Sequence, residues 1–451
     1  MLLTILLGLL GLSLVVFVHE AGHLVAAKLC GVEVEAFSIG WGRTLYSFEW
    51  KGTEYRLSLF PLGGYCKMKG EASFRKAVEQ NSDELPREPG SFYGASVWRR
   101  IVILIAGPAA NFIFAIIVLS LIWFFGFSFE TFENRVVIGA EYGQAVVEES
   151  PAVEAGLQTG DRILVIDGRD TPYFRDIQQV VATSAEEQIE LVVERDSEEF
   201  TIGATPILDR RTGGGLLGIA PWIDPVIDEV SGPARVAGLR SGDRVIAVDG
   251  EEVEHSMAFS AALQRGGSSV EIEYERDGER QSTRLAPDSG DAGQRIAGVM
   301  FETVTGTSPD LGALAALGRG TEETISTMVL TIRGIATLFR GVDLTRAVAG
   351  PARIVYITGE VATQGFGVGV GAGISSLFNF LGLLSVILCF MNLLPVPVFD
   401  GGQIVISLVE GVRRKPLSPR AMHRYQMIGA FMVLGLLVFA ITADVLFFTG
   451  G

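Results

Sequence analysis

Residues 2–27 read LLTILLGLLGLSLVVFVHEAGHLVAA, and the architecture turns on this stretch. Leu2 to Val18 carries no charge, and the apolar run resumes after His19-Glu20-Ala21-Gly22-His23 as far as Ala27. About 20 apolar residues cross a bilayer as a helix, so one span is expected here. A cleaved signal would need a basic start and a small-residue cleavage site, and neither is present. Three ionisable groups on one turn of a membrane helix are costly and mark a function. On a helix, positions 19 and 23 share a face. Two neutral imidazoles placed so are good zinc ligands, and Glu20 between them can take a proton from water.

Working outward, three further stretches are long and apolar enough to span: Ile101–Phe129, part of the uncharged run Val361–Phe399, and Tyr425–Ala443. The expected fold class is a polytopic α-helical membrane protein with four transmembrane helices. Lys and Arg concentrate in 31–100, with ten, and in 401–424, with five. Both loops are therefore expected in the cytoplasm. Apolar residues make up 48% of the chain, yet Asp and Glu number 52 against 36 Lys and Arg. Residues 130–310 hold 35 of those acids and 15 basic residues, all Arg. This acidic segment is expected outside. The charge argues against nucleic acid as a partner, and the apolar content excludes intrinsic disorder. Cys30, Cys66 and Cys389 match no zinc-knuckle spacing.

The acidic segment contains a duplication. Pro151-Ala152-Val153-Glu154-Ala155-Gly156-Leu157, then Gly160-Asp161-Arg162-Ile163, recurs 82 residues later as Pro233-Ala234-Arg235-Val236-Ala237-Gly238-Leu239, then Gly242-Asp243-Arg244-Val245. A short helix, a turn and a strand are expected in each copy. The pattern resembles PDZ domains of bacterial envelope proteases, which implies two α+β domains in tandem, 130–210 and 211–305. Gly215-Leu216-Leu217-Gly218-Ile219, ahead of the second copy, resembles the PDZ loop whose amides hold a peptide carboxylate. Peptide C-termini are the candidate ligands.

Zinc in a catalytic site takes three protein ligands and leaves one position open. Of the two remaining histidines, His255 lies in the second repeat and His423 in a basic loop. Asp400 and Asp444 remain. The expected depth decides: His19 and His23 lie near Lys28, at the cytoplasmic end of the first span, as does Asp400 after the third. Asp444 falls at the far end of the fourth, roughly a membrane thickness away. Asn392-Leu393-Leu394-Pro395-Val396-Pro397-Val398-Phe399-Asp400-Gly401-Gly402 also breaks the helix at membrane depth. Such backbone is tolerated only where it is buried in protein or lines a polar cavity.

HExxH in the first span with NxxPxPxxDGG after the third resembles the site-2 proteases, intramembrane zinc metalloproteases. The tandem repeats narrow the likeness to the bacterial RseP type, and Gly107-Pro108-Ala109-Ala110-Asn111 resembles that family's GPxxN motif. Phe399 stands where the family usually has Leu. The resemblance implies one Zn2+ per chain held by His19, His23 and Asp400, with Glu20 as general base and Asn392 binding substrate. It also implies an inner-membrane protein of the bacterial cell, with periplasmic PDZ domains and an active site near the cytoplasmic side. The implied partners are the lipid bilayer and single-span substrates, such as an anti-sigma factor trimmed beforehand or signal-peptide remnants. A membrane-anchored PDZ scaffold with a structural metal is the alternative; structural zinc sites are closed by four protein ligands.

The expected organisation is helix 1 over 1–30, a cytoplasmic loop over 31–97, helix 2 over 98–129, the two repeats, membrane-surface helices over 306–360, helix 3 over 361–400, a cytoplasmic loop over 401–424 and helix 4 over 425–449. Arg319, Arg333 and Arg340, spaced among apolar residues, place the surface helices. Val32–Phe37, Thr44–Trp50 and Tyr55–Phe60 read as short strands; the apolar run Leu59–Tyr65 and the family resemblance imply a β-sheet that re-enters the membrane, with a cytoplasmic cap as the alternative. The Tyr55–Phe60 strand could offer an edge to an unwound substrate.

Overall fold

The computed structural model describes residues 2–82, 84–143, 150–210, 213–290, 294–309, 311–337 and 349–449; Arg340 lies outside them. The chain forms two compact units, Met1–Phe127 with Ser308–Gly451, and Ser128–Thr307. In chain order the helices are α1 (Leu2–Leu29), α2 (Glu71–Glu79), α3 (Val97–Phe125), α4 (Pro151–Glu154), α5 (Phe174–Thr183), α6 (Gly232–Val236), α7 (Ser256–Arg265), α8 (Ala313–Thr337), α9 (Pro351–Val368), α10 (Val370–Leu393), α11 (Asp400–Arg413) and α12 (Pro419–Thr449).

Among the described residues, α1, α3, α10 and α12 are the helices long and apolar enough to cross a membrane. In a hydrocarbon core only a helix or a closed barrel satisfies every backbone group, so these apolar runs are helical throughout. Lipid supplies no hydrophobic drive between helices, and close approach through small residues takes its place. A side chain at Gly22 would overlap the Ala106 carbonyl, so α1 and α3 meet backbone to backbone. Gly8 lies in the same way against Val355, and Gly359 against Thr4, which seats α9 along α1.

Three boundaries differ from expectation. Helix 2, expected over 98–129, ends at Phe125, and Ser128–Thr131 is a strand. The uncharged run 361–399 does not make one span: its first residues finish α9, and α10 starts at Val370 after the break at Gly369. A run dense in glycine propagates a helix poorly. Residues 401–424, expected as a loop, contain α11 and the start of α12. Loop-like charge misled there, because α11 is amphipathic and buries Ile406 while its arginines gather at the end.

The segment 34–68 is two long bent strands, β1 (Val34–Trp50) and β2 (Thr53–Met68). Ala36 to Ile39 is flanked by Glu54 to Leu57 on one side and by Lys67 to Gly64 on the other. Thr44 to Trp50 pairs with Ser58 to Thr53. The three expected strands are thus present, with Gly64 to Met68 as a fourth. Lys51 and Gly52 join the longest pair with φ of 50° and 72°, the left-handed values of a tight hairpin turn. Trp41, Tyr46, Phe48, Trp50 and Phe60 are exposed on this sheet.

Residues 128–307 begin and end as a two-stranded stem, Ser128–Thr131 against Val304–Thr307. Between them the duplication is two modules of matching topology. The first has a sheet in the order 169–170, 162–166, 189–195, 198–204, and the second 251–252, 244–248, 270–276, 279–285. The repeated Gly-Asp has a shared purpose: Asp161 and Asp243 are buried and grip Arg195 and Arg276, each through both oxygens. Gly215–Ile219, expected to introduce the second repeat, packs in the first. Leu217 is in the first core, and Ile219–Pro221 pairs with Val136–Ile138. The packing therefore does not divide at 210/211. Val299–Phe301 fills the matching place in the second module by pairing with Ile227–Val230.

Candidate metal centre

α1 carries His19 and His23 on one face, with rings edge to face at 4.8 Å. Their Nε2 atoms are 3.2 Å apart. Asp400 is the first residue of α11, and its Oδ2 lies 3.2 Å from His19 Nε2 and 3.3 Å from His23 Nε2. Both histidines are 6% exposed. Tetrahedral zinc with bonds of about 2.0–2.1 Å separates neighbouring ligand atoms by about 3.3 Å. The triangle of donors has that size. Asp400 Oδ2 is buried and makes no hydrogen bond of normal geometry despite two nitrogens at hand. Lone pairs converging on one point in this way fit a cation, and two nitrogens with one carboxylate suit zinc. Among the described residues this is the one cluster of three such groups.

The chain around each ligand explains its placement. Pro395 and Pro397 lack backbone donors and end α10, and the chain turns through Val396 N to Leu394 O at 2.7 Å and Phe399 N to Val396 O at 2.9 Å. A Cβ at Gly401 would overlap the Leu393 and Leu394 carbonyls, and one at Gly402 the Val396 carbonyl. The two glycines therefore let α11 start directly on the end of α10, which aims Asp400 at α1. On the other side α3 forms a wall. A Cβ at Gly107 would overlap His23 Nε2 and stand 2.9 Å from His19 Cε1. His23 Nδ1 donates to the Ile103 carbonyl at 2.8 Å, which leaves Nε2 as the lone-pair nitrogen. Asn111 Nδ2 is 3.5 Å from His19 Nδ1.

Glu20 is half-buried and turned to the sheet: a Cβ at Gly64 would lie 3.5 Å from its Cγ. Gly64 belongs to an edge strand, since Gly64–Lys67 pairs only with Ile39–Ala36 among the described residues. Tyr55 to Leu57, in contrast, is paired on both sides and is no edge. The turn after Ile39 and the hairpin at Lys51-Gly52 fold the chain back and bury that strand between neighbours. Asn392 is not joined to the cluster by any hydrogen bond among the described residues; its Nδ2 donates to the Leu388 carbonyl one turn back, at 3.0 Å.

Asp444 has a separate task. Its carboxylate is buried and accepts from Gly350 N at 2.8 Å, Ala352 N at 3.0 Å and Arg353 N at 3.3 Å, capping the first turn of α9. His255 is likewise structural: Nδ1 accepts from Ala258 N at 3.2 Å to cap α7, and Nε2 meets Tyr142 Oη at 3.1 Å. Sequence reasoning passed over the wall residues Gly107 and Asn111 as site components, although the GPxxN motif was in view. It missed the buried Arg100–Glu410 ion pair, for which an arginine at the edge of an apolar run was the available signal.

The profile of Peptidase family M50 matches residues 7–436. A Treponema pallidum protein carrying the name zinc metalloprotease is 38% identical over 434 residues, spanning 95% of this chain and 96% of its own. The regulator of sigma E protease of Haemophilus influenzae is 30% identical over 457 positions, and RseP, the regulator of sigma-E protease of Escherichia coli, 31% over 469; each match spans 97% of both chains.

Proposed function

The chain belongs to peptidase family M50 and is a multi-pass membrane zinc metalloprotease, and from that premise we propose that it is an intramembrane endopeptidase whose Zn2+ is held by His19, His23 and Asp400. The observation that carries the ligand assignment is the convergence of three ligand atoms, one of them a buried Asp400 oxygen without a hydrogen-bond partner. Zinc bound there would supply Lewis-acid activation of water and of a peptide carbonyl. Glu20 accepts the proton of the attacking water and returns it to the departing nitrogen. His23 is held in its metal-facing tautomer by the Ile103 carbonyl.

The substrates in this reading are single-span membrane proteins: an anti-sigma factor already trimmed outside, whose release starts an envelope stress response, and signal-peptide remnants. The names of the sigma-E protease relatives support the first. A helical substrate must unwind, and its freed backbone groups need partners in the membrane. The edge strand at Gly64–Lys67, beside Glu20, is the natural one for β-addition. The exposed aromatic residues of β1 and β2 support membrane re-entry of this sheet, since such side chains favour the bilayer boundary. The two modules of 128–307 are PDZ domains on the periplasmic side that exclude substrates with bulky outer domains; the matched topology of the repeats supports this. A scaffold with a structural metal is the weaker reading, because the described cluster has three ligands and not four.

Glu20→Gln tests the reading. Zinc content should remain, and cleavage of a single-span substrate should fall at least about 100-fold, the usual share of a general base. Cleavage near wild type would overturn it.

A further inference from the structure

Asn111 is fully buried beside the cluster, and its Oδ1 has no hydrogen-bond partner. Orphaned buried carbonyl oxygens are uncommon and costly. Ile103, Gly107 and Asn111 are spaced four residues apart, so they form one stripe along α3. Ile103 accepts from His23, Gly107 leaves room for both rings, and Asn111 faces His19. His23 thus has a carbonyl acceptor for its Nδ1 proton, and the only group standing in the equivalent place for His19 among the described residues is the Asn111 carboxamide.

A carboxamide has two orientations of nearly equal shape, related by a half-turn. With Nδ2 toward His19 it donates to the Nδ1 lone pair. The ring proton then sits on Nε2, the nitrogen 3.2 Å from Asp400 Oδ2. That arrangement closes the triangle to a cation and leaves Oδ1 unbonded. With Oδ1 toward His19 it accepts from Nδ1–H, and Nε2 is free to bind metal. We propose that Asn111 is a positioning residue for His19, whose Oδ1 accepts the Nδ1 proton in the zinc-loaded protein and so sets the tautomer that binds. The inference rests on His19 being a zinc ligand. A ligand histidine's outer partner commonly accounts for about 10–100-fold in metal affinity.

The test is zinc affinity of the full-length protein in detergent, by competition with a chromophoric chelator, for Asn111→Leu, Asn111→Asp and His19→Ala. Asn111→Leu removes the acceptor and should weaken zinc by about 10–100-fold. Asn111→Asp keeps an acceptor and should stay close to wild type. Should Asn111→Leu fail to accumulate, Asn111→Ala asks the same question. Wild-type affinity in Asn111→Leu, with zinc lost in His19→Ala, overturns this inference and leaves the metal site standing. Zinc retained in His19→Ala overturns the site assignment itself. Equal losses in the leucine and aspartate variants make Asn111 a packing residue and overturn the inference.

Discussion

Arg100 Nη2 donates to Glu410 Oε2 across 2.5 Å, and both side chains are buried. The pair joins the first turn of α3 to the end of α11, the helix that Asp400 opens. Glu410 Oε1 also accepts from Leu417 N at 2.8 Å. Breaking one side of a buried pair strands a charge, at about 3–5 kcal/mol. Glu410→Ala should therefore lower the melting temperature and weaken zinc by letting α11 shift. Replacing both partners together, with Met at 100 and Leu at 410, should recover much of the stability. A single variant that melts like wild type would show the pair to be idle.

Asp400 and Asp444 should separate cleanly. Asp400→Ala removes one of three donors, so zinc and activity should both be lost. Asp444→Ala should keep zinc but free the amides of Gly350, just before α9, and of Ala352 and Arg353 in its first turn. Loss of a helix cap costs about 0.5–2 kcal/mol, and the readout is a lower melting temperature with unchanged metal content. Zinc lost from the Asp444 variant and kept in the Asp400 variant would reverse the two roles.

His255 makes the 128–307 unit sensitive to acid. Burial, with the Arg135 charge adding to it, pushes its imidazole down to about 4, against about 6.5 in an unfolded chain. The unfolded state therefore binds the proton first. The stability from this group is complete above about pH 6.5 and declines as pH falls toward 4. In the full chain, α7 amides corrected for intrinsic rates should exchange faster across that window. His255→Asn can keep the cap on Ala258 and should flatten the dependence. An equally steep loss in that variant would assign the effect to other groups.

Asn392 carries an expectation that the packing leaves open. It offers a donor and an acceptor near the Pro-broken stretch, yet its Nδ2 is already engaged by Leu388. If it receives unwound substrate, Asn392→Leu should bind zinc normally and cut helical substrates poorly. A substrate with Gly or Pro near the cut should be partly rescued, since less helix must be opened. Equal losses on rigid and pre-broken substrates would reduce Asn392 to a brace of α10.

Much of the site was legible because its signals are local. His19 and His23 share a face through helical periodicity alone, and the Pro and Gly around Asp400 mark a break at the right depth. The strands expected at 32–37, 44–50 and 55–60 showed in their β-branched and aromatic content, the first of them starting at Val34. Strand order did not: Tyr55–Leu57 became internal because the chain reverses twice, and pairing across such reversals leaves no local trace. The same holds for Gly215–Ile219. Its glycines identify a turn, but which module it joins depends on Leu217 finding the first core.

The sequence by itself determined four apolar spans, an acidic duplicated insert and a metal motif, since each rests on hydrophobic length, charge or a spacing of a few residues. Tertiary structure alone decided what surrounds the candidate metal cluster. Gly107 and Asn111 lie more than 80 residues from His19 in the chain, and a missing Cβ or an unbonded amide oxygen means nothing until another helix is placed against it. Asp444 likewise reads as a charge at the end of an apolar run until α9 arrives with three unpaired amides. Local chemistry sets which groups a helix can offer; only packing sets which of them meet.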